Sequence, residues 1–279
     1  MNTRTPYAAG VVLLLACIGA DDVGPAVEKP AGAKPATLSA RDVMKKNYEE
    51  MTTKNFRSDV LMELRVRDGR VQTRHLKRLS KTDAKDREKS LLIFTSPPTV
   101  RHTALLIVEH EEKSNDVWFY LPAVQKVKRI SGSNLQRSYM GTEFTFKDLE
   151  REKVTPDRNR YEMAESEKLD GVDHYVLDAF PVGEQEPAEQ GYQKRRLWIR
   201  KDNFLSSKVM FYNKKGEYLK TLIATDMKEV GKSGKFRYHT LTMTNAKGVK
   251  TVINLNMIRI DEEEPKDQYF TKAFLTRKK

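Results

Sequence analysis

From Phe56 onward the chain alternates apolar and polar residues with a period of two, and this leaves few folds open to it. Val60, Met62, Leu64 and Val66 alternate with Asp59, Glu63, Arg65 and Arg67. Successive side chains of a strand point to opposite faces, so the pattern describes strands with one face buried. Asp68-Gly69 and Asp170-Gly171 are two-residue hairpin signals, and Lys214-Lys215-Gly216, Lys232-Ser233-Gly234 and Lys247-Gly248 mark further turns. The runs between these turns predict about eleven antiparallel strands. Strands do not alternate with helices, which argues against a parallel nucleotide-binding sheet. So many strands in succession are expected to curl into a barrel or half-open barrel that limits exposed edges. The predicted class is mainly β (α+β).

Several of these strands are apolar on both faces. In the last one, Thr251, Ile253, Leu255 and Met257 fill one face while Val252, Ile258 and Ile260 sit on the other. Such a sheet must be covered twice, by helices, by itself or by a ligand, and an apolar cavity is one outcome. A thick conventional core is the other. Residues 39–51 supply one cover. Ser39 can cap a helix, Asp42 stands three residues on as in a capping box, and Val43, Met44, Tyr48 and Met51 share a helical face. Residues 116–150 form an insertion of a different kind. Val117-Trp118-Phe119-Tyr120-Leu121 is a strand stopped by Pro122, and a short strand over 125–130 carries Lys126, Lys128 and Arg129. A Ser/Gly/Asn loop, a Met140-Gly141-Thr142 step and a turn of helix over 144–149 follow. Large rings, fixed cations and a polar loop suit an amphiphile with an anionic head. They equally suit an aromatic hairpin whose basic edge discourages aggregation.

The first residues read as an export signal over 1–20. Arg4 is the positive start, residues 8–16 form an apolar run too short to span a bilayer, and Ile18-Gly19-Ala20 ends a cleavage site. In a second processing outcome, Leu14-Leu15-Ala16-Cys17 resembles a lipobox and Cys17 is lipidated. Residues 21–37 are rich in Pro, Ala, Gly and Lys and read as a flexible linker, leaving 38–279 as a single domain. Cys17 is the only cysteine of the 279 residues, so no intrachain disulfide can staple the exported chain, and a packed core must stabilise it. The expected location is the periplasm. A net charge of +12 favours anionic partners. The basic residues are nevertheless spread along the strands among 39 acids, without a recognition helix, so nucleic acid is not expected.

Catalytic and metal signatures are missing from the sequence. His75, His102, His110, His174 and His239 include no i, i+4 pair, and Ser114 stands where His110-Glu111 would need its second histidine. Gly231-Lys232-Ser233 ends like a phosphate-binding loop, but Asp226 occupies the position of the required first glycine. Glu262-Glu263-Glu264 reads as a solvated acidic turn. Neither an enzyme activity nor a cofactor or metal is expected.

The central residues carry one resemblance. Trp118-Phe119-Tyr120-Leu121-Pro122, Lys126-Val127-Lys128-Arg129-Ile130-Ser131-Gly132 and Met140-Gly141-Thr142-Glu143-Phe144-Thr145-Phe146-Lys147-Asp148-Leu149 resemble the signature of the outer-membrane lipoprotein-sorting (LolA-like) family. Within it they are most similar to the branch accessory to lipid-exporting transporters of the resistance-nodulation-division (RND) class. The resemblance implies an antiparallel half-open β-barrel with a helical lid over a cavity for acyl chains, and no enzyme activity or metal. The function expected is a periplasmic carrier of lipid or lipoprotein acyl chains. Its partners would be those chains, an inner-membrane RND-type transporter, and membranes in peripheral contact. The competing readings are a non-carrying envelope module that docks to a transporter or another protein, and a hydrolase on a β scaffold. Candidate cavity residues are Val60, Met62, Leu64, Leu92, Phe94, Leu106, Trp118, Tyr120, Phe144, Phe146, Met210 and Met257. Lys126, Lys128 and Arg129 are candidates for an anionic head, or are solubility charges on an edge.

Overall fold

The computed structural model describes residues 38–65, 68–111, 113–150, 159–182 and 191–277. The signal, Cys17, and the linker expected over 1–37 lie outside these residues. Among the described residues fourteen strands, rather than about eleven, form one antiparallel sheet. They are β1 (Asn55–Arg65), β2 (Val71–Thr82), β3 (Glu88–Ser96), β4 (Ala104–Val108), β5 (Asp116–Leu121), β6 (Lys126–Ile130), β7 (Asn159–Met163), β8 (Glu167–Leu169), β9 (Val172–Pro181), β10 (Lys194–Arg200), β11 (Ser206–Tyr212), β12 (Tyr218–Glu229), β13 (Phe236–Asn245) and β14 (Lys250–Ile260). The spatial order is β6-β5-β4-β3-β2-β1-β14-β13-β12-β11-β10-β9-β7, with β8 also paired to β9. The pairing of β1 with β14 joins two meanders. Strands β6 and β7 end the path and, among the described residues, do not pair with each other, so the described sheet is open.

The turns form where the sequence signals them. Asp170 and Gly171 both have positive φ, 50° and 79°, as a two-residue turn between antiparallel strands requires. Helix α1 (Ala40–Met51) begins with the expected capping box: Asp42 N–H donates to Ser39 Oγ at 3.2 Å, and Ser39 N–H donates to Asp42 Oδ2 at 3.0 Å. Its buried residues Ala40, Val43 and Met44 pack on Leu177 and Ala179 of β9 and Leu197 and Ile199 of β10. The helix therefore covers the inner face of the sheet at one end.

The insertion covers the other end of that face. Leu135, Tyr139, Phe144 and Phe146 are buried against Phe94, Leu105, Ile107, Val117 and Phe119. Tyr139 is fully buried and meets Phe94, Phe119 and Phe146 with ring centroids 6.0, 6.2 and 5.4 Å away. The helical cover expected here is instead built of short 3-10 turns, Gly132–Gln136 and Lys147–Leu149, joined by an irregular loop. Met140 and Gly141, both with positive φ, reverse the chain, and Thr142 Oγ1 donates to Tyr139 C=O at 2.7 Å. On the outer face, Leu91, Ala104 and Leu106 are sealed by Phe270 and Leu275, from a 3-10 turn (Asp267–Phe270) and helix α2 (Lys272–Leu275).

Each face is thus buried by a separate piece of chain, and the depth of burial sets the cost of truncation. Leu105→Ala, at a fully buried inner-face position, is expected to lower unfolding free energy by about 2–5 kcal/mol in urea titrations. Met257→Ala, at a position 65% exposed, is expected to change it by less than about 0.5 kcal/mol.

Candidate functional site

Between the two inner covers the sheet is left bare, and a cavity of about 460 Å³ remains. That volume falls within the roughly 300–1,000 Å³ range of small-molecule sites. Its walls are mainly apolar. Val60, Met62, Leu76 and Leu92 come from β1–β3, Leu222, Leu241, Met243, Ile253 and Leu255 from β12–β14, Phe144 and Leu149 from the insertion, and Met44 and Met51 from α1. Alternation produces this wall directly. Residues 241 and 243 of β13, and 253 and 255 of β14, repeat at spacing two on the face that Val60 and Met62 share.

An ion pair stands beside the apolar wall. Lys220 Nζ of β12 donates to Asp148 Oδ2, and also to the carbonyl of Glu143 at 3.0 Å. Asp148 accepts further bonds from Tyr192 Oη at 2.8 Å and Thr145 N–H at 2.7 Å. Both charged side chains are almost wholly buried, at 7% and 5% exposure. The ammonium also lies 5.2 Å from the Phe211 ring centroid and 5.4 Å from that of Tyr192. Burial, followed by the neighbouring Asp148 carboxylate, pushes the Tyr192 phenol well above its ordinary range, so it stays a donor. This cluster ties the insertion to the sheet at the cavity's edge. A second tie is Arg74 Nη1, which donates to Met140 C=O at 2.6 Å.

The sequence-derived cavity candidates fall into three groups. Val60, Met62, Leu92 and Phe144 line the cavity. Leu64, Phe94 and Phe146 lie on the inner face but are packed into the aromatic core, outside the lining. Leu106, Trp118, Tyr120, Met210 and Met257 are placed elsewhere, and the expectation for them is corrected. In β4 and β5 it is Leu105, Ile107, Val117 and Phe119 that join the inner core, while Leu106, Trp118 and Tyr120 pack on the outer face with the C-terminal segment. Met210 lies between Val209 and Phe211, which face inward. Met257 occupies a bulge where the β1–β14 register shifts, with φ of 48°, and is exposed.

The three headgroup candidates also miss the cavity. Lys126, Lys128 and Arg129 are exposed on β6, the terminal strand of the sheet, and none lines the cavity. Arg129 instead pairs with Asp116 at 2.7 Å and lies over Trp118. The cationic side chains that do line the cavity include Arg78 and Arg237, which the sequence reading passed over. Arg78 shares the parity of Leu76, two positions before it, and Arg237 that of Leu241, four positions after it; extending the strand parity would have found them. Among the described residues no group of three or more His, Cys, Asp or Glu side chains is placed to hold a metal, and no helix is long and apolar enough to cross a membrane.

The architecture is thus an open antiparallel β-sheet whose covers leave an apolar hollow. A family model described only as an uncharacterized protein matches residues 86–277. Among solved structures, an outer membrane lipoprotein-sorting protein domain from Vibrio parahaemolyticus is 30% identical with a TM-score of 0.78, over 85% of this chain and 98% of that one. A DUF1329 family protein from Desulfovibrio piger is 29% identical, also at 0.78, over 85% and 97%. A LolA superfamily protein from Nitrosomonas europaea, 24% identical at 0.66 over 85% and 100%, shares the fold. The chain belongs to the outer membrane lipoprotein-sorting protein family, and its fold is shared with the LolA superfamily. No curated protein matches it.

The buried ion pair gives a direct test of the site's construction. Asp148→Asn removes the carboxylate and leaves the Lys220 ammonium buried, which is expected to cost about 3–5 kcal/mol in urea unfolding. Joint replacement by Asp148→Leu and Lys220→Met is expected to recover much of that loss.

Proposed function

We propose that this protein is a periplasmic carrier that encloses the acyl chains of a lipid or lipoprotein for passage between membranes or to and from an exporter. The observation that carries this reading is the apolar cavity held open between α1, the insertion and the sheet. Exposing an alkyl chain to water costs about 0.8 kcal/mol per methylene, and enclosure in such a cavity removes that cost. Met44, Met51, Met62 and Met243 in the wall can repack around chains of different shape. Membership of the lipoprotein-sorting family supports the same reading. Export through the segment 1–20, with Cys17 either removed or lipidated, would put the carrier in the compartment where such cargo must cross water.

The second reading is a docking module, and the observation favouring it is the open edge at β6. Among the described residues no strand pairs with its outer edge, and Lys126, Lys128 and Arg129 on it would select an acidic segment added there. An inner-membrane RND-type exporter is the partner proposed for that edge. In this reading the module docks without carrying cargo.

The cavity reading is tested by mass spectrometry of lipid copurified under gentle conditions. Leu255→Glu, which puts a carboxylate into the apolar wall, is expected to reduce bound lipid at least about fivefold. Trp118→Glu, on the outer face, is expected to leave lipid per folded molecule near the wild-type level. Equal occupancy in wild type and Leu255→Glu would count against the cavity.

A further inference from the structure

The cavity wall contains two guanidinium groups to which the described residues supply no ion-pair partner. Arg237, on β13, is only 5% exposed. Its donors go to two backbone carbonyls, Phe236 at 2.6 Å and Met51, at the end of α1, at 3.4 Å. Among the described residues it forms no salt bridge. Burial lowers its affinity for its proton, and Glu50 and Asp261 oppose this only at a distance. Asp261 is engaged elsewhere, accepting from Lys235 Nζ at 3.0 Å and from the Lys54 N–H at 2.6 Å. Arg78, on β2, faces Ser58 across the β1–β2 ladder and lies over the Phe56 ring at 5.1 Å. It too forms no salt bridge among the described residues, and its Nε is buried with no hydrogen-bond partner.

The acids that line the same cavity are already committed. Asp148 is held by Lys220 and Tyr192, Glu150 is held through Oε2 by Lys147 and Asn115 while its Oε1 is buried without a hydrogen-bond partner, and Glu88 is not free. Arg78 and Arg237 belong to the same run of adjacent strands, β2-β1-β14-β13. Both line the cavity, as do Phe56, under the Arg78 guanidinium, and Met51, whose carbonyl accepts from Arg237 at the end of α1. A buried cation without a counter-charge is costly, and an arriving anion that supplies one is bound correspondingly well. The guanidinium fork matches a carboxylate or a phosphate.

We propose that the cavity takes an anionic amphiphile, its carboxylate or phosphate head held by Arg78 and Arg237 and its chain laid against Met62, Leu92 and Leu255. The proposal rests on the carrier reading and narrows it. Ester and amide linkages alone need donors but no fixed charge, so two unpaired guanidiniums select a cargo with an ionised head. The head is drawn into the cavity, away from the exposed cations of β6.

The test uses delipidated protein at pH 8 and two fluorescent probes that differ only in charge, cis-parinaric acid and its methyl ester. The acid is expected to bind about ten- to hundredfold more tightly than the ester, the value of a charge-assisted hydrogen bond. Arg78→Met and Arg237→Met should each reduce that preference while ester affinity changes less than about twofold. Since Arg237 also holds the end of α1, Arg78→Met and the wild-type comparison keep the test sound should Arg237→Met fold poorly. Competition by dodecyl phosphate or by laurate identifies the head, and either supports the proposal if it exceeds competition by dodecanol. Equal affinity for acid and ester, dodecanol competing as well as either anion, or a preference that survives the double replacement would overturn it. If neither probe bound, the carrier reading itself would fail; tight ester binding without preference would remove the anion site alone.

Discussion

A wide antiparallel sheet that is apolar on both faces cannot stay bare, and the rest of this molecule answers that constraint. The outer face of β3–β5 is closed by the C-terminal turn and α2. The inner face is closed twice, by α1 over β9 and β10 and by the insertion over β3–β5. These two inner covers sit at opposite ends of the face, and the strands between them line the cavity. The hollow is therefore a consequence of where the covers are anchored. The Asp148–Lys220 pair fixes one of those anchors, between a 3-10 turn of the insertion and a strand reached 72 residues later. Its charges are out of water, so it stabilises through the completeness of its hydrogen bonding more than through simple attraction.

Much of this fold was legible in the sequence because it rests on local chemistry. The Ser39–Asp42 capping box, the Asp170-Gly171 turn and the stop at Pro122 each depend on a few neighbouring residues. Strand parity could not be read with the same certainty where both faces are apolar. In β4 and β5, Leu105 and Leu106, or Phe119 and Trp118, are equivalent as sequence; only the partner packed on each side distinguishes inner from outer. Met257 escaped for another reason, since a bulge breaks the period of two that placed it inside. The cations of β6 were conspicuous because they cluster in sequence. Arg78 and Arg237 are isolated among strand residues and meet the cavity only through sheet order.

Family membership and cavity address different parts of the functional argument. Fold alone does not specify function, because one scaffold can serve unrelated tasks. What this chain adds is a particular wall: flexible methionines and branched aliphatic residues, with the buried Arg237 and the half-buried Arg78 set among them. A carrier must bind well enough to cross water yet release its load. An adaptable wall with limited charged anchorage suits that balance better than a rigid, fully complementary pocket.

The most direct measurement is a crystal structure of the delipidated protein soaked with a fatty acid brominated near its methyl end, read by anomalous scattering from bromine. The account predicts a bromine peak inside the cavity, within contact distance of Met62, Leu92 or Leu255. Bromine found only on the outer surface, with the cavity closed by the protein's own side chains, would contradict it.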